Sequence, residues 1–543
     1  MPSSTQVLIA GAGPVGLVAA LTLVQSGVSV RIIEKEHGPR PGERGAGTYP
    51  RTLEVYHFLG VNEIRERGEA VSHIQSHIFG SIDVVKEFPF LVGEADPTPA
   101  IPINRSVALG QTYVEQILAS HLEKLGCAVE YGKELLTFEQ NEEGVVVHIS
   151  SQNGSIEADE TVEAQLMIGA DGARGVVRKQ LGLTFLGETR EDTRIITADI
   201  RIKCAGLSRD HWHHFGDADG ASLFFRPSNQ FGDNDGWQLI LSGDRFDIER
   251  LAADKEAVYS CVKEAVGAPI QFMELIWISQ FRPNIRMVDT FGKRRVLVAG
   301  DAAQLGGQGM NSGVQDAFNL AWKVALVAKG MAPLSLLESY TAERLPVIAQ
   351  MLNLTTTLLD KTFGARREKV DQAYRRDRIL FMLGVNYRTS PIVLDEFSAD
   401  IPAVPAYNTE RTDELVAGDR APDAPALVEG DNTVSLFNDV FKPTHHTALV
   451  FAADIQAANP VLKSLAQYSG ISSAVIIIPA TAKPVGNIGS ARIVIDKEGH
   501  AHTNYLVKGG SRVVIVRPDG VVGAIVAGQS GVEKYFGLIQ GRK

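Results

Sequence analysis

Gln6-Val7-Leu8-Ile9-Ala10-Gly11-Ala12-Gly13-Pro14-Val15-Gly16 is the stretch whose reading decides the fold. The short apolar run reads as a buried parallel strand. Glycines follow at once, and the helix they open starts near Pro14, runs to about Ser26 and stops at Gly27. A second strand covers Ser29 to Ile33 and ends on Glu34. Gly11 permits the tight turn. Gly13 lets backbone approach a pyrophosphate seated on the helix N-terminus, and Gly16 lets helix and strand pack closely. Glu34 stands where a carboxylate accepts bonds from ribose hydroxyls. The plainer reading is a glycine-rich turn with no ligand.

Two later signatures point to the same ligand. Gly169-Ala170-Asp171-Gly172-Ala173-Arg174 closes a strand, with Arg178 in the helix that follows. Gly300-Asp301-Ala302-Ala303 closes another, and Gly306-Gly307-Gln308-Gly309-Met310-Asn311 leads into a long helix ending at Lys329. A carboxylate at Asp301 suits the sugar-chain hydroxyls of a flavin. A helix beginning near Gly309 aims its N–H groups and positive end at the flavin pyrimidine edge, with the backbone of Met310 and Asn311 as donors. Each motif alone also reads as a helix cap. Together they describe a chain that wraps one large dinucleotide, FAD, from several sides, and therefore redox chemistry.

The 543 residues are enough for three or four domains. A net charge of −11 argues against nucleic acid and anionic membranes as partners. Three scattered cysteines, Cys127, Cys204 and Cys261, read as reduced and cytoplasmic, without a disulfide framework or metal site. No basic leader precedes the first strand, and Val15–Val24 is too short for a membrane span. The expected organisation is discontinuous. Residues 1–75, 103–183 and 286–345 form the nucleotide domain, and 76–102 with 184–285 form a β-rich insertion. A helical segment and linker occupy 346–410, and a further unit 411–543. In that last unit, strands flank the turn Pro518-Asp519-Gly520 in a thioredoxin-like order, without a redox Cys pair. Its expected role is structural. His445-His446 reads as a solvated loop. His211-Trp212-His213-His214 suggests a metal only weakly, since no further ligand is evident.

These motifs, with Arg51-Thr52-Leu53-Glu54 and the run Leu337-Glu338-Ser339-Tyr340-Thr341-Ala342-Glu343-Arg344-Leu345-Pro346, resemble the class A FAD-dependent aromatic hydroxylases, flavoprotein monooxygenases. The similarity covers most of residues 5–350, and the tail resembles the thioredoxin-like extension of the phenol hydroxylase branch. The resemblance implies an α/β fold: a Rossmann-like FAD-binding domain of the p-hydroxybenzoate hydroxylase type with an inserted β-sheet substrate domain. It implies FAD, NADPH or NADH as co-substrate, O2, a small aromatic substrate and a possible homodimer. Oxygen added at the flavin C4a carbon would then hydroxylate a phenol. Epoxidation or Baeyer–Villiger oxidation on the same fold, or a non-catalytic flavin-binding role, stands as the alternative. By position, Gly11, Gly13, Pro14, Gly16, Glu34 and Lys35 would hold the adenosine half. Arg44, Gly47, Gln111, Asp171 and Asp301 would hold the pyrophosphate, ribityl and flavin region, and Gly307, Gly309, Met310 and Asn311 the pyrimidine edge. The pocket candidates are His214, Phe224, Trp237 and Trp277, whose plainer reading is core packing. Two departures stand out. Only Gln304-Leu305 separates the Asp301 motif from Gly306, a shortened loop, and Gly175 stands where a serine is common.

Overall fold

The computed structural model describes the chain except residues 1–2, 72, 92–95, 154–155, 190–193, 217–219, 307, 364–370, 372–375, 377, 399–403, 408–414, 454, 482–490, 508–511 and 543. Strand β1 (Ser3–Ala10) leads through Gly11 into helix α1 (Pro14–Gln25) and strand β2 (Val30–Glu34). Val7, Leu8 and Ile9 have no exposed surface, as a strand covered on both faces requires. Strand β3 (Ile156–Gly169) pairs parallel with β1 on the side away from β2, and Val296–Val298 continues the sheet beyond β3. Ala10 faces Gly169, and Gly169 faces Val298 across the ladders. The three glycine-rich motifs thus leave adjacent parallel strands at the same end, where open α/β sheets bind ligands. Helices α2 (Gln111–Lys124) and α3 (Gly309–Ala328) cover α1, and α4 (Glu338–Phe363) lies beyond α3.

A second, seven-stranded sheet contains β4 (Ile195–Cys204), β5 (Trp212–Gly216), β6 (Ser222–Ser228), β7 (Gly236–Ser242) and β8 (Ile270–Phe281). Its order is β8-β4-β7-β6-β5, continued by His73–Ile78 and Val84–Pro89. One face buries Ile196, Ala198, Ile200, Phe215, Phe225 and Leu239 with Val258 and Val262 of the helix Lys255–Val266. The other face turns to the nucleotide unit, with Trp212 and Phe224 packed near Ala108.

The C-terminal sheet has eight strands and takes in Leu394–Asp395, ahead of residue 411. At its centre β9 (His446–Phe451) runs antiparallel to β10 (Arg512–Val516), which pairs with β11 (Val522–Val526) across the Pro518-Asp519-Gly520 turn. His446 is not in a solvated loop. It begins β9 with no exposed surface, its ring edge-on to Trp322 and Tyr535, because the apolar strand needs its first residue inside the core. The stretch from Ala417 to Pro425 packs into the interior: Ala417, Ala421 and Ala424 are buried, and Arg420 pairs with Glu54. Among the described residues no helix is long and apolar enough to cross a membrane.

Candidate cofactor cleft and its aromatic flank

A cleft opens at the carboxyl ends of β1, β2 and β3. Gly11, Gly13, Pro14, Glu34, Lys35, Arg44, Gln111, Asp171, Asp301, Gly309 and Met310 all line it. Gly11 has φ +103°, and a Cβ there would meet the Ala170 carbonyl oxygen at 2.3 Å. A Cβ on Gly16 would strike the Gly11 carbonyl oxygen at 1.9 Å, so this residue works beneath the cleft, where helix meets turn. Gly13 differs: its Cβ would meet no protein atom within 4 Å. Nothing in the protein itself excludes a side chain there, which fits a ligand pressed against that backbone. Glu34 organises the turn as well, its Oε2 accepting from Ala12 N at 2.9 Å.

Arg44 sits in the left-handed region at φ +47° and donates through Nη2 to Glu115 Oε1 at 2.9 Å. Gln111 Nε2 donates to the same oxygen at 2.9 Å. Glu115, one turn along α2, therefore aims both side chains, and burial pushes its carboxyl pKa up against the pull of Arg44. Sequence reading missed Glu115; its i+4 spacing from Gln111 was the available signal. Arg44 Nε is buried without a protein partner, a donor free for an anion.

Asp171 Oδ2 accepts from Val177 N at 3.0 Å, while Oδ1 is buried without a protein partner. Gly175 follows from this: a Cβ there would lie 2.1 Å from Asp171 Cγ. Arg178 ties the second motif to the third through bonds to the Ala302 and Ala173 carbonyl oxygens at 3.0 and 2.7 Å. Asp301 is exposed on the cleft, where the protein crowded around it raises its carboxyl pKa and Arg44 pulls the other way.

Helix α3 points its N-terminus at the cleft, where the first amides lack intrahelical acceptors. Met310 lines it. The Asn311 side chain instead braces the neighbouring loop, donating to Gly47 O at 2.9 Å and accepting from Tyr49 N at 3.0 Å. Gly47 is thus held to the helix from the Asn311 side and lies off the cleft wall. Gly307 lies outside the described residues. The short loop before it forms a strand, Gln304–Leu305, on Asn284–Met287. A Cβ on Gly306 would meet Leu352 of α4 at 2.6 Å, so the loop runs close under that helix. The buried donors, the bare Gly13 backbone and the helix end suit the pyrophosphate and polar edge of a dinucleotide.

The second sheet flanks the cleft. Across β8, β4, β7 and β6 runs a cofactor-side row of Trp277, Asp199, Gln238 and Arg226. It grips the loop carrying Arg44. Asp199 Oδ2 accepts from Glu43 N at 2.7 Å, and Gln238 Nε2 donates to Arg44 O at 2.9 Å. Arg226 forms a buried ion pair with Glu43, and the Trp277 ring lies against Gly42. Phe224 and His214, paired across β6 and β5, share this face. Burial holds His214 down to about 4, so its imidazole is neutral at pH 7. Trp237 does not belong with them. It lies on the opposite face, packed on Phe225 and His213, because neighbouring strand residues point opposite ways. Nor do the histidines of 211–214 converge: His213 bonds to His77 on the far face while His214 bonds to Ser222.

A family model described as the FAD binding domain matches residues 4–355. A flavin-dependent monooxygenase of Mycobacteroides abscessus is 34% identical over 521 residues, covering 92% of this chain and 99% of that protein. A 6-methylpretetramide 4-monooxygenase of Streptomyces rimosus is 36% identical over 361 residues, covering 65% of this chain and 61% of its own length. A solved structure of the flavin-dependent monooxygenase PieE, in complex with FAD and substrate, shares the fold with a TM-score of 0.82 over 100% of both chains at 21% identity.

Proposed function

The chain belongs to the class A FAD-dependent aromatic hydroxylases, and from that premise we propose that it inserts one atom of O2 into an electron-rich, phenolic ring. The other oxygen atom leaves as water, and NADPH or NADH supplies the two electrons. Bound FAD supplies the redox centre that takes those electrons and activates oxygen. Convergence of three glycine-rich motifs on one cleft, beside an aromatic sheet face, carries the reading.

Glu34 is the acceptor for adenosine ribose hydroxyls, with Lys35 beside it. Arg44, aimed by Glu115, neutralises the pyrophosphate with Gln111 alongside. Asp301 takes the ribityl hydroxyls, and Asp171 offers its unpaired oxygen nearby. The α3 amides of Gly309, Met310 and Asn311 would hold the pyrimidine edge of the flavin and favour negative charge there. Phe224 with Trp277 excludes water from the ring, and neutral His214, bonded to Ser222, backs Phe224 on the same sheet face. Demand for reduced nicotinamide and the three free cysteines support a cytoplasmic setting.

The test uses the FAD-loaded protein. Phenols are screened for stimulated NAD(P)H oxidation, and the product is weighed for one added oxygen atom. Stimulated oxidation with an oxygenated product is expected. NAD(P)H use that no phenol alters, or products without added oxygen, would overturn the proposal. Asp301→Ala should purify nearly colourless; a yellow, fully occupied variant would refute the cofactor map.

A further inference from the structure

The Pro518-Asp519-Gly520 turn of the C-terminal sheet reaches into the nucleotide unit, and nothing in the cleft chemistry uses it. Arg517, Glu343 and Lys323 have no exposed side-chain surface, and Asp519 almost none. Arg517 grips two carboxylates. Its Nη1 and Nη2 donate to Glu343 Oε1 and Oε2 at 2.6 and 3.0 Å, and its Nε donates to Asp519 Oδ1 at 3.0 Å. Glu343, on α4, takes Lys323 Nζ and Asn319 Nδ2 of α3, each at 2.7 Å. Asp519 takes Trp322 Nε1 of the same helix at 3.2 Å. The next residue, Arg344, donates to Asp316 Oδ1 at 2.6 Å and to Ser312 O at 3.2 Å. Asp316 Oδ2 then accepts from Gly300 N at 3.3 Å, beside Asp301.

We propose that Arg517 is a positioning residue for the cofactor site: by fixing Glu343 and Asp519 it sets α3, whose first turn faces the cleft, and through Arg344 and Asp316 it sets the Gly300-Asp301 turn. The C-terminal unit is then part of the cofactor machinery. The geometry gives the reason. Glu343 and Arg344 are consecutive on α4, and one holds the middle of α3 while the other holds its start. A shift of Glu343 is transmitted to both the helix end and the Asp301 turn. The cluster is also balanced, with two cations, Lys323 and Arg517, against two carboxylates, Glu343 and Asp519. Loss of Arg517 leaves two buried acids sharing one lysine, which forces rearrangement.

The test compares full-length variants loaded with FAD. Arg517→Ala should weaken FAD binding by roughly tenfold and shift the flavin absorption spectrum and midpoint potential, with Arg517→Lys recovering part of each. The control is Phe437→Ala, which thins the same interface where the Phe437 ring packs on Phe58 at 5.0 Å between ring centres and on Arg420, outside the group of Arg517, Glu343, Lys323 and Asp519. At a matched loss of thermal stability, Phe437→Ala should leave spectrum and potential as in the wild type. Equal flavin changes in both variants would reduce Arg517 to general interface stability and overturn the proposal. So would unchanged flavin in Arg517→Ala. If Arg517→Ala does not accumulate folded, Trp322→Phe and Arg517→Lys decide. Each should loosen FAD about threefold or more, and wild-type binding and spectrum in both would refute the proposal.

Discussion

At the scale of single residues, Gly175 and Asp171 occupy each other's space. Any Cβ at 175 falls 2.1 Å from Asp171 Cγ, so a side chain there must swing the carboxylate off Val177 N. Gly175→Ser is expected to cost about 1–3 kcal/mol of stability, the usual range for overpacking a tight site. It should also lower flavin occupancy, since Asp171 lines the cleft. A melting temperature and FAD content equal to the wild type would show that Asp171 moves aside freely. The same scale marks what sequence reading could reach. Gly11 and Gly16 are legible because a turn's own backbone demands them. Glu115 is only half legible: its i+4 spacing from Gln111 is local, but its partner Arg44 lies 71 residues away and no local pattern announces that meeting.

At the scale of elements, strand parity separates what sequence reading left together. Trp237 and Gln238 are neighbours on β7, and the aromatic one drew the functional reading. The polar one reaches the Arg44 carbonyl while Trp237 faces Val258 and its helix. Alternation alone says that two faces exist; only packing against the nucleotide unit says which face matters. The parallel strands and the glycine turns were legible because each carries its signal within a few residues. The row Trp277, Asp199, Gln238 and Arg226 was not, since four strands spread over residues 195–281 build it. This row predicts a strong energetic effect. Arg226→Met would leave Glu43 with the Ser228 hydroxyl at 2.5 Å and no buried cation opposite. The expected loss is about 3–5 kcal/mol, and adding Glu43→Gln should recover much of it. Unfolding in urea measures both variants, and a loss within experimental scatter for Arg226→Met would show that the pair is solvent-relaxed.

At the scale of the whole molecule, the C-terminal unit and the cofactor helix share one interior, and His446 lies where they meet. Its ring is 5.3 Å from Trp322 of α3 and 5.7 Å from Phe536, and its Nδ1 bonds to the Ile471 carbonyl oxygen at 3.2 Å. No window of sequence around His445-His446 could show this, because Trp322 is far away along the chain. Two adjacent histidines beside Pro443 and Thr444 look like solvated loop until the helix arrives. Burial pulls the His446 pKa down to about 3, with Arg517 and His445 adding in the same direction and the Ile471 carbonyl opposing. The sign of the pH effect follows. The unfolded chain takes up a proton near pH 6.5 and the folded chain does not, so acid favours unfolding. The stability that depends on the neutral ring is whole above about pH 6.5 and drains as pH falls toward 3, by about 1.4 kcal/mol per pH unit. His446→Phe keeps an aromatic ring and removes the titration. Its deficit relative to wild type at pH 7.5, from the lost Ile471 bond, should shrink steadily between about pH 6 and pH 4 and then reverse. Other titrating groups cancel in this difference, which urea unfolding at each pH reads directly. A difference that stays flat across that window would mean that the folded protein accepts the proton at His446, and the two units would then be less tightly joined than their packing indicates.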